Sequence, residues 1–262
     1  VDQLKEFNKK HSDAKNENNA TKEEYLLLLP VALELFNQST TSPAINQQQK
    51  ITFDDEVSTF MQILSGVKET LSMQEQETII RVATYSNHSD LYKSPAYEFG
   101  NIEDSLWGYT PDARSISVPT LCHIMSSYDN KEISQLVLAL MTDNTAAVRL
   151  EALNYLPYFW KHDNESFWRT IYNGIINEKQ SICLQVILDS MCSRNIIKKD
   201  LEKIEKVCLD FLLRIRSSSE KIARELWQTY VILLLSLIKV ADSARAKQLI
   251  HENLDINELC LN

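Results

Sequence analysis

Few residues in this 262-residue chain have the type and spacing that chemistry requires. Two carboxylate clusters, Asp54-Asp55-Glu56 and Glu103-Asp104, could divide general acid and base roles if a pocket separated their pKa values. The first reads instead as the acidic opening turn of a helix beginning near Val57, where the helix dipole favours negative charge. The second lies in an aromatic-rich stretch with no other chemistry beside it. The five histidines (His11, His88, His123, His162, His251) each stand alone, so no multi-histidine metal site suggests itself. Cys122 and His123 are adjacent and point in different directions on a helix. Five cysteines (Cys122, Cys183, Cys192, Cys208, Cys260) form no C-x-x-C pair, and their number is odd. They read as buried, reduced thiols of a cytoplasmic protein rather than as a zinc site or disulfide framework. Phosphate-cradling and nucleophile-elbow motifs (G-x-x-x-x-G-K-[ST], G-x-G-x-x-G, G-x-S-x-G) and H-E-x-x-H are all missing. No catalytic residue, cofactor or metal is assigned on these grounds.

One basic constellation remains. Lys199, Lys203 and Lys206 recur at i, i+4, i+7, which aligns them on one helix face. Residues 194–224 hold nine Lys or Arg against five Asp or Glu, whereas the whole chain carries a formal charge of −9. A phosphate backbone is repelled by that overall balance. The lysines, alternating with Glu202 and Glu205, therefore read as an ordinary solvated face. Nucleic-acid binding through the 194–224 stripe is a secondary alternative, and the expected partner is a protein.

The elements that must position these residues are helices. Four glycines and six prolines are too few for the regular turns of a long β fold. Periodicity and capping signals place helices at Tyr25–Phe36 (opened by a Thr21/Glu24 capping box and kinked at Pro30), from Val57, through Ile79–Ala83, and near 120–127, 131–141, 145–160, 164–176, 179–193, 199–215, 219–239 and 242–253. Four regions follow: a polar linker or frayed helix (1–21), an N-terminal helical region (22–85), an irregular insert (86–119) and a repeat region (120–262). The insert collects two glycines, three prolines and the aromatics Tyr92, Tyr97, Phe99, Trp107 and Tyr109. A long irregular stretch within helices commonly carries function. Tyr97, Trp107 and Tyr109, with Trp160 and Trp168 from the Tyr158–Trp160 and Phe167–Trp168 groups, are the expected partner-binding anchors. No apolar run approaches the ~20 residues of a membrane span. The amino terminus V-D-Q-L-K-E-F is polar and has no initiating Met, which suggests a chain processed, tagged or cut from something longer.

Within 120–253, Val148, Ala152 and Leu156 align with Ile182, Val186 and Ser190, and again with Ile222, Leu226 and Tyr230, at offsets inside the range of two-helix repeats. The 219–239 helix is apolar on two faces, Ile222/Leu226/Leu233/Leu237 and Ala223/Trp227/Val231/Leu234/Ile238, as a helix packed between neighbours should be. Leu136-x-Leu138-x-Leu140, then Asp143, then Val148-Arg149-x-x-Ala152 resembles a HEAT repeat. In that family an outer helix ends at an acidic turn and the inner helix opens with Val-Arg. The resemblance implies an all-α fold, an α-solenoid of stacked antiparallel pairs, with Asp143 and Arg149 as the structural turn. It also implies a non-enzymatic scaffold or regulatory module that binds protein. The positions matching Asp143 are Asn177 and Ser217, and those matching Arg149 are Cys183 and Ala223, so this pair is not propagated. The same phrasing also looks like helical segments of large multidomain bacterial proteins that couple a solenoid sensor to an ATPase.

Overall fold

A computed structural model describes residues 1–11, 21–67, 69–88, 113–218 and 220–253. Tyr97, Glu103, Asp104, Trp107, Tyr109 and Cys260 lie outside these residues. The described chain is all helical, with no strand, and divides into two compact units, residues 1–152 and 153–253.

The first unit contains α1 (Asp2–His11), α2 (Lys22–Thr41), α3 (Gln47–Ser65), α4 (Met73–His88), α5 (Ala113–Tyr128) and α6 (Lys131–Leu140), and reaches into α7 (Ala146–Leu153). Residues 1–21 are not only a polar leader. Within them, α1 docks through Leu4 and Phe7, whose ring lies edge-on to Tyr25 at 4.9 Å and 5.7 Å from Phe60. The capping box forms as its sequence predicts, Thr21 and Glu24 each bonding the other's backbone N–H. The helix it opens runs on to Thr41, past Pro30 and past the expected end at Phe36. A second box, Asn46 with Gln49, starts α3 ten residues before Val57.

That earlier start overturns the dipole reading of Asp54-Asp55-Glu56, which sit in mid-helix. Each ties a different helix to α3. Asp54 Oδ1 accepts from Ser39 Oγ of α2 at 2.5 Å. Asp55 Oδ1 accepts from the Ala113 N–H at 2.8 Å and so caps α5. Glu56 accepts from Asn8 of α1 through both its carboxylate and its carbonyl, each at 2.9 Å.

Irregular structure was expected to extend to 119, but α5 begins at Ala113. It is buried along nearly its whole length and packs against α3, α4 and α6. Its sequence, A-R-S-I-S-V-P-T, lacks an apolar period because polar side chains here are satisfied internally. Ser117 Oγ donates to the Arg114 carbonyl and Thr120 Oγ1 to the Ile116 carbonyl, so burial leaves neither hydroxyl wanting.

The 145–160 helix of the sequence reading is two helices, α7 and α8 (Leu156–His162), separated by a turn at Asn154–Tyr155. Pro157 explains the break: it has no N–H to give the Leu153 carbonyl, and its ring crowds that group.

The second unit continues with α9 (Asn164–Asn177), α10 (Ser181–Ser190), α11 (Arg194–Ser217), α12 (Glu220–Ala241) and α13 (Ala244–His251). Helix α9 packs on α8, α10 and α11, while α12 packs on α10, α11 and α13. Of the two predicted faces of α12, Leu226, Leu233 and Leu237 and, beside them, Trp227 and Leu234 are buried, whereas Ala223, Val231 and Ile238 are half-buried. In α10 the predicted phase is displaced. Cys183, Leu184, Ile187 and Leu188 are buried, whereas Ile182 and Val186 are only half-buried. Gly174 permits the close packing of α9 on α10, since a Cβ there would meet the Ile187 side chain.

Candidate functional site

The aromatic groups and the lysine stripe, read separately from the sequence, come together. Helices α9 and α11 run in the same direction, and three lysines of α11 lie over three rings. Lys199 Nζ is 5.5 Å from the Trp160 ring centre, Lys203 is 5.2 Å from Trp168 and Lys206 is 6.0 Å from Tyr172. The periods agree: positions 199, 203 and 206 climb one face of α11, while 168 and 172 climb α9. A cation over a ring face interacts favourably with its quadrupole, by roughly 0.5–1 kcal/mol at exposed sites.

Two of the interleaved carboxylates make contacts of their own. Asp200, where α11 kinks (φ −123°, ψ 28°), accepts the Trp160 indole N–H at 2.7 Å and pairs with Lys203 at 3.1 Å. Glu205 accepts from Ser243 Oγ at 2.6 Å, at the start of α13. Glu205 is thus turned to α13, Glu202 is exposed, and the acid that pairs with the row is Asp200.

Trp168 is also not the exposed anchor expected of it. It is buried against Phe167, with ring centres 5.0 Å apart. Trp160 is half-buried and fixed by its hydrogen bond. Both rings build the face on which the lysines rest. Tyr97, Trp107 and Tyr109 lie outside the described residues.

Further along the two helices an open groove of about 610 Å³ is lined by Tyr172, Ile175, Ile176, Val207, Asp210 and Leu213, and closed by Arg214 and the turn of Ser217 and Ser218. Ile176 and Leu213 are exposed on its walls. Arg214 is not a free cation. Its guanidinium donates to the carbonyls of Gly174, Ile175 and Glu178, capping the carboxyl end of α9. Burial lowers its pKa, and nearby Glu178 acts in the opposite direction. The sequence reading missed both the groove and this cap, because the helices that form them are some forty residues apart in the chain.

At the Asp143–Arg149 turn both side chains bond the neighbouring backbone. The Asp143 carboxylate accepts from Arg114 of α5 at 2.5 Å and from the Thr145 N–H at 2.7 Å. Arg149 Nη1 donates to the backbone carbonyls of Asp143 and Asn144, at 2.8 and 3.1 Å. Arg114 also donates to the Asn87 carbonyl and to Thr145 Oγ1. It thus joins α4, α5 and the 143–145 turn, a role hidden in a stretch read as irregular.

Groups with catalytic potential are engaged in packing. Ser65 Oγ lies 3.1 Å from His123 Nδ1, a distance that suits a nucleophile and its base. The hydroxyl, however, gives its single proton to the Gln62 carbonyl at 2.7 Å. The part His123 plays in its contact with Ser65, donor or acceptor, follows the tautomer of the ring. Burial pushes the Cys122, Cys192 and Cys208 thiols upward, which keeps them protonated and poorly nucleophilic. No group of three or more His, Cys, Asp or Glu suited to a metal ion occurs among the described residues. No described helix is long and apolar enough to cross a membrane. No protein-family model, curated protein or solved structure matches this chain.

Proposed function

We propose that this chain is a non-enzymatic, protein-binding helical module, with HEAT-like stacking in residues 153–253 and its binding surface along α9 and α11. The single observation that carries the reading is the groove between these helices. Its walls expose Ile176 and Leu213 although the core behind them is already filled. Apolar side chains left beside an ordered cationic row form a surface of the composition that interface centres and rims have. Stacking is supported by the way α9 lies beside α11 while α10 lies beside α12. Buried, protonated thiols fit the reducing cytoplasm. A scaffold or regulatory role, alone or within a larger assembly, is the use that a surface of this kind supports.

Affinity capture from the source cells with quantitative mass spectrometry tests the proposal, comparing the natural chain with Leu213→Asp and Ile176→Asp. Both side chains are exposed, so the variants should melt at the natural temperature. A stoichiometric protein held by the natural chain and lost from both variants is the expected result. Identical capture profiles from all three would overturn it. Salt-sensitive recovery of nucleic acid, abolished by Lys199→Glu with Lys203→Glu, would transfer the surface to the alternative partner class.

A further inference from the structure

Helix α1 is held to α3 and α2 by few groups. Leu4 is fully buried, the Phe7 ring lies against Tyr25 and Phe60, and Asn8 Nδ2 donates to the Glu56 carbonyl and carboxylate. An isolated helix of ten residues is marginal in water, so α1 depends on these contacts for its order. Its docking also leaves polar atoms unsatisfied. Asn8 Oδ1 and His11 Nε2 are both covered and accept or donate no hydrogen bond. Five side-chain atoms among the described residues share that condition, and these two sit three residues apart on one short helix. Covering a polar atom without a bond is unfavourable, and covering a charge is more so.

His11 makes that docking sensitive to pH. Its ring centre is 4.5 Å from that of Phe7 and 6.1 Å from that of Tyr25, so the imidazole is held beside a phenyl ring of α1 and a phenol of α2. The titratable and charged groups around it are Lys10 of α1, Glu24 and Tyr25 of α2, and Glu56 of α3, which holds Asn8. Both carboxylates already accept a bond, Glu24 from the Thr21 N–H and Glu56 from Asn8. We infer that α1 is a pH-responsive strap, docked while His11 is neutral and released once the imidazole is protonated, which uncovers the otherwise buried Tyr25 and Phe60. Burial lowers the His11 pKa, Lys10 lowers it further and Glu24 opposes both. The released helix therefore binds the proton more readily than the docked one. Docking is fully favoured above the ordinary histidine value, and weakens as pH falls through that value toward the lowered one.

The test is hydrogen exchange on the full chain between about pH 8 and about pH 5, expressed as protection relative to the intrinsic rate at each pH. Protection of residues 4–11 should be lost toward the acid end while α3 and α5 keep theirs. His11→Phe retains a ring beside Phe7 and Tyr25 and takes no proton, so its α1 should stay protected throughout. Leu4→Asp should remove the protection of α1 at every pH, which gives the reference for a released strap. The imidazole supplies a second reading. Followed by NMR, its titration midpoint should lie lower in the natural chain than in Leu4→Asp. Protection of the natural α1 that is constant, or that rises on acidification, would overturn the inference. So would an equal loss in His11→Phe, or equal midpoints in the natural chain and Leu4→Asp. A loss shared by α3 and α5 would belong to the whole unit, where buried His123 also resists protonation, and would overturn it too.

Discussion

In residues 1–152 the interior is joined by polar groups. Asp54, Asp55 and Glu56 each hold a different helix to α3, Ser58 bonds Ser86 at 3.1 Å, and Arg114 ties α4 and α5 to the 143–145 turn. Residues 153–253 keep a mainly apolar core around α12 and place cations against rings along α9 and α11. The contrast bears on how each unit responds to change. Buried hydrogen bonds are directional, so they fix one arrangement and make any unpaired partner costly. An apolar core depends on volume, and leaves polar groups free to form a surface. In the second unit such a surface runs along α9 and α11.

The comparison can be broken or sharpened by substitution. Trp227→Ala should have the largest effect, about 3–5 kcal/mol, because the ring is buried between neighbouring helices and would leave a cavity. Chemical denaturation gives the magnitude. Hydrogen exchange should locate the loss in residues 153–253, and a loss spread equally over both units would contradict their separate cores. Arg114→Ala should cost about 2–3 kcal/mol, since Asp143 and the Asn87 carbonyl lose a charged donor. Here hydrogen exchange should quicken in α4 and α5, and retention of natural protection would remove Arg114 from its central place.

Asp54 tests the same contrast through pH. Burial raises its pKa, although the Ser39 hydrogen bond and Lys50 act the other way. The folded state then holds this proton more tightly than the unfolded state. Stability should fall as pH rises from the ordinary carboxylate value through the raised one. Asp54→Asn keeps an acceptor for Ser39 without the charge, so its stability should gain on the natural chain across that window. Parallel stability–pH curves for the two proteins would refute this origin. The smallest effect is expected at Lys203→Met, about 0.5–1 kcal/mol from the cation over Trp168 and the Asp200 pair. Indole fluorescence should shift while the melting temperature changes little. A large fall in stability would make the lysine row part of the core.

Much of the helical scaffold was legible in the sequence. Thr21 and Glu24 announced α2, and the apolar period of 219–239 announced a helix with a broad buried stripe. Where the reading failed, tertiary contacts had replaced a local signal. Helix α5 has no apolar stripe because its hydroxyls bond its own carbonyls. The 54–56 carboxylates resemble a helix start until Asn46 and Gln49 are seen to cap α3 earlier. Of the candidate face, the sequence offered both halves, lysines at 199, 203 and 206 and aromatics at 160 and 168, but assigned them to different roles. It offered Trp168 as a partner-binding residue, whereas packing buries it.

The sequence by itself determined the all-helical class of fold, the start of α2 and the broad buried stripe of α12. These depend on residues three or four apart, whose relative positions any helix fixes in advance. Tertiary structure alone decided that Lys203 rests on Trp168, that Arg214 closes α9 and that Arg114 holds Asp143. Each joins positions roughly thirty to forty residues apart, and such pairs become neighbours only when helices dock with a register set by the packing of their side chains.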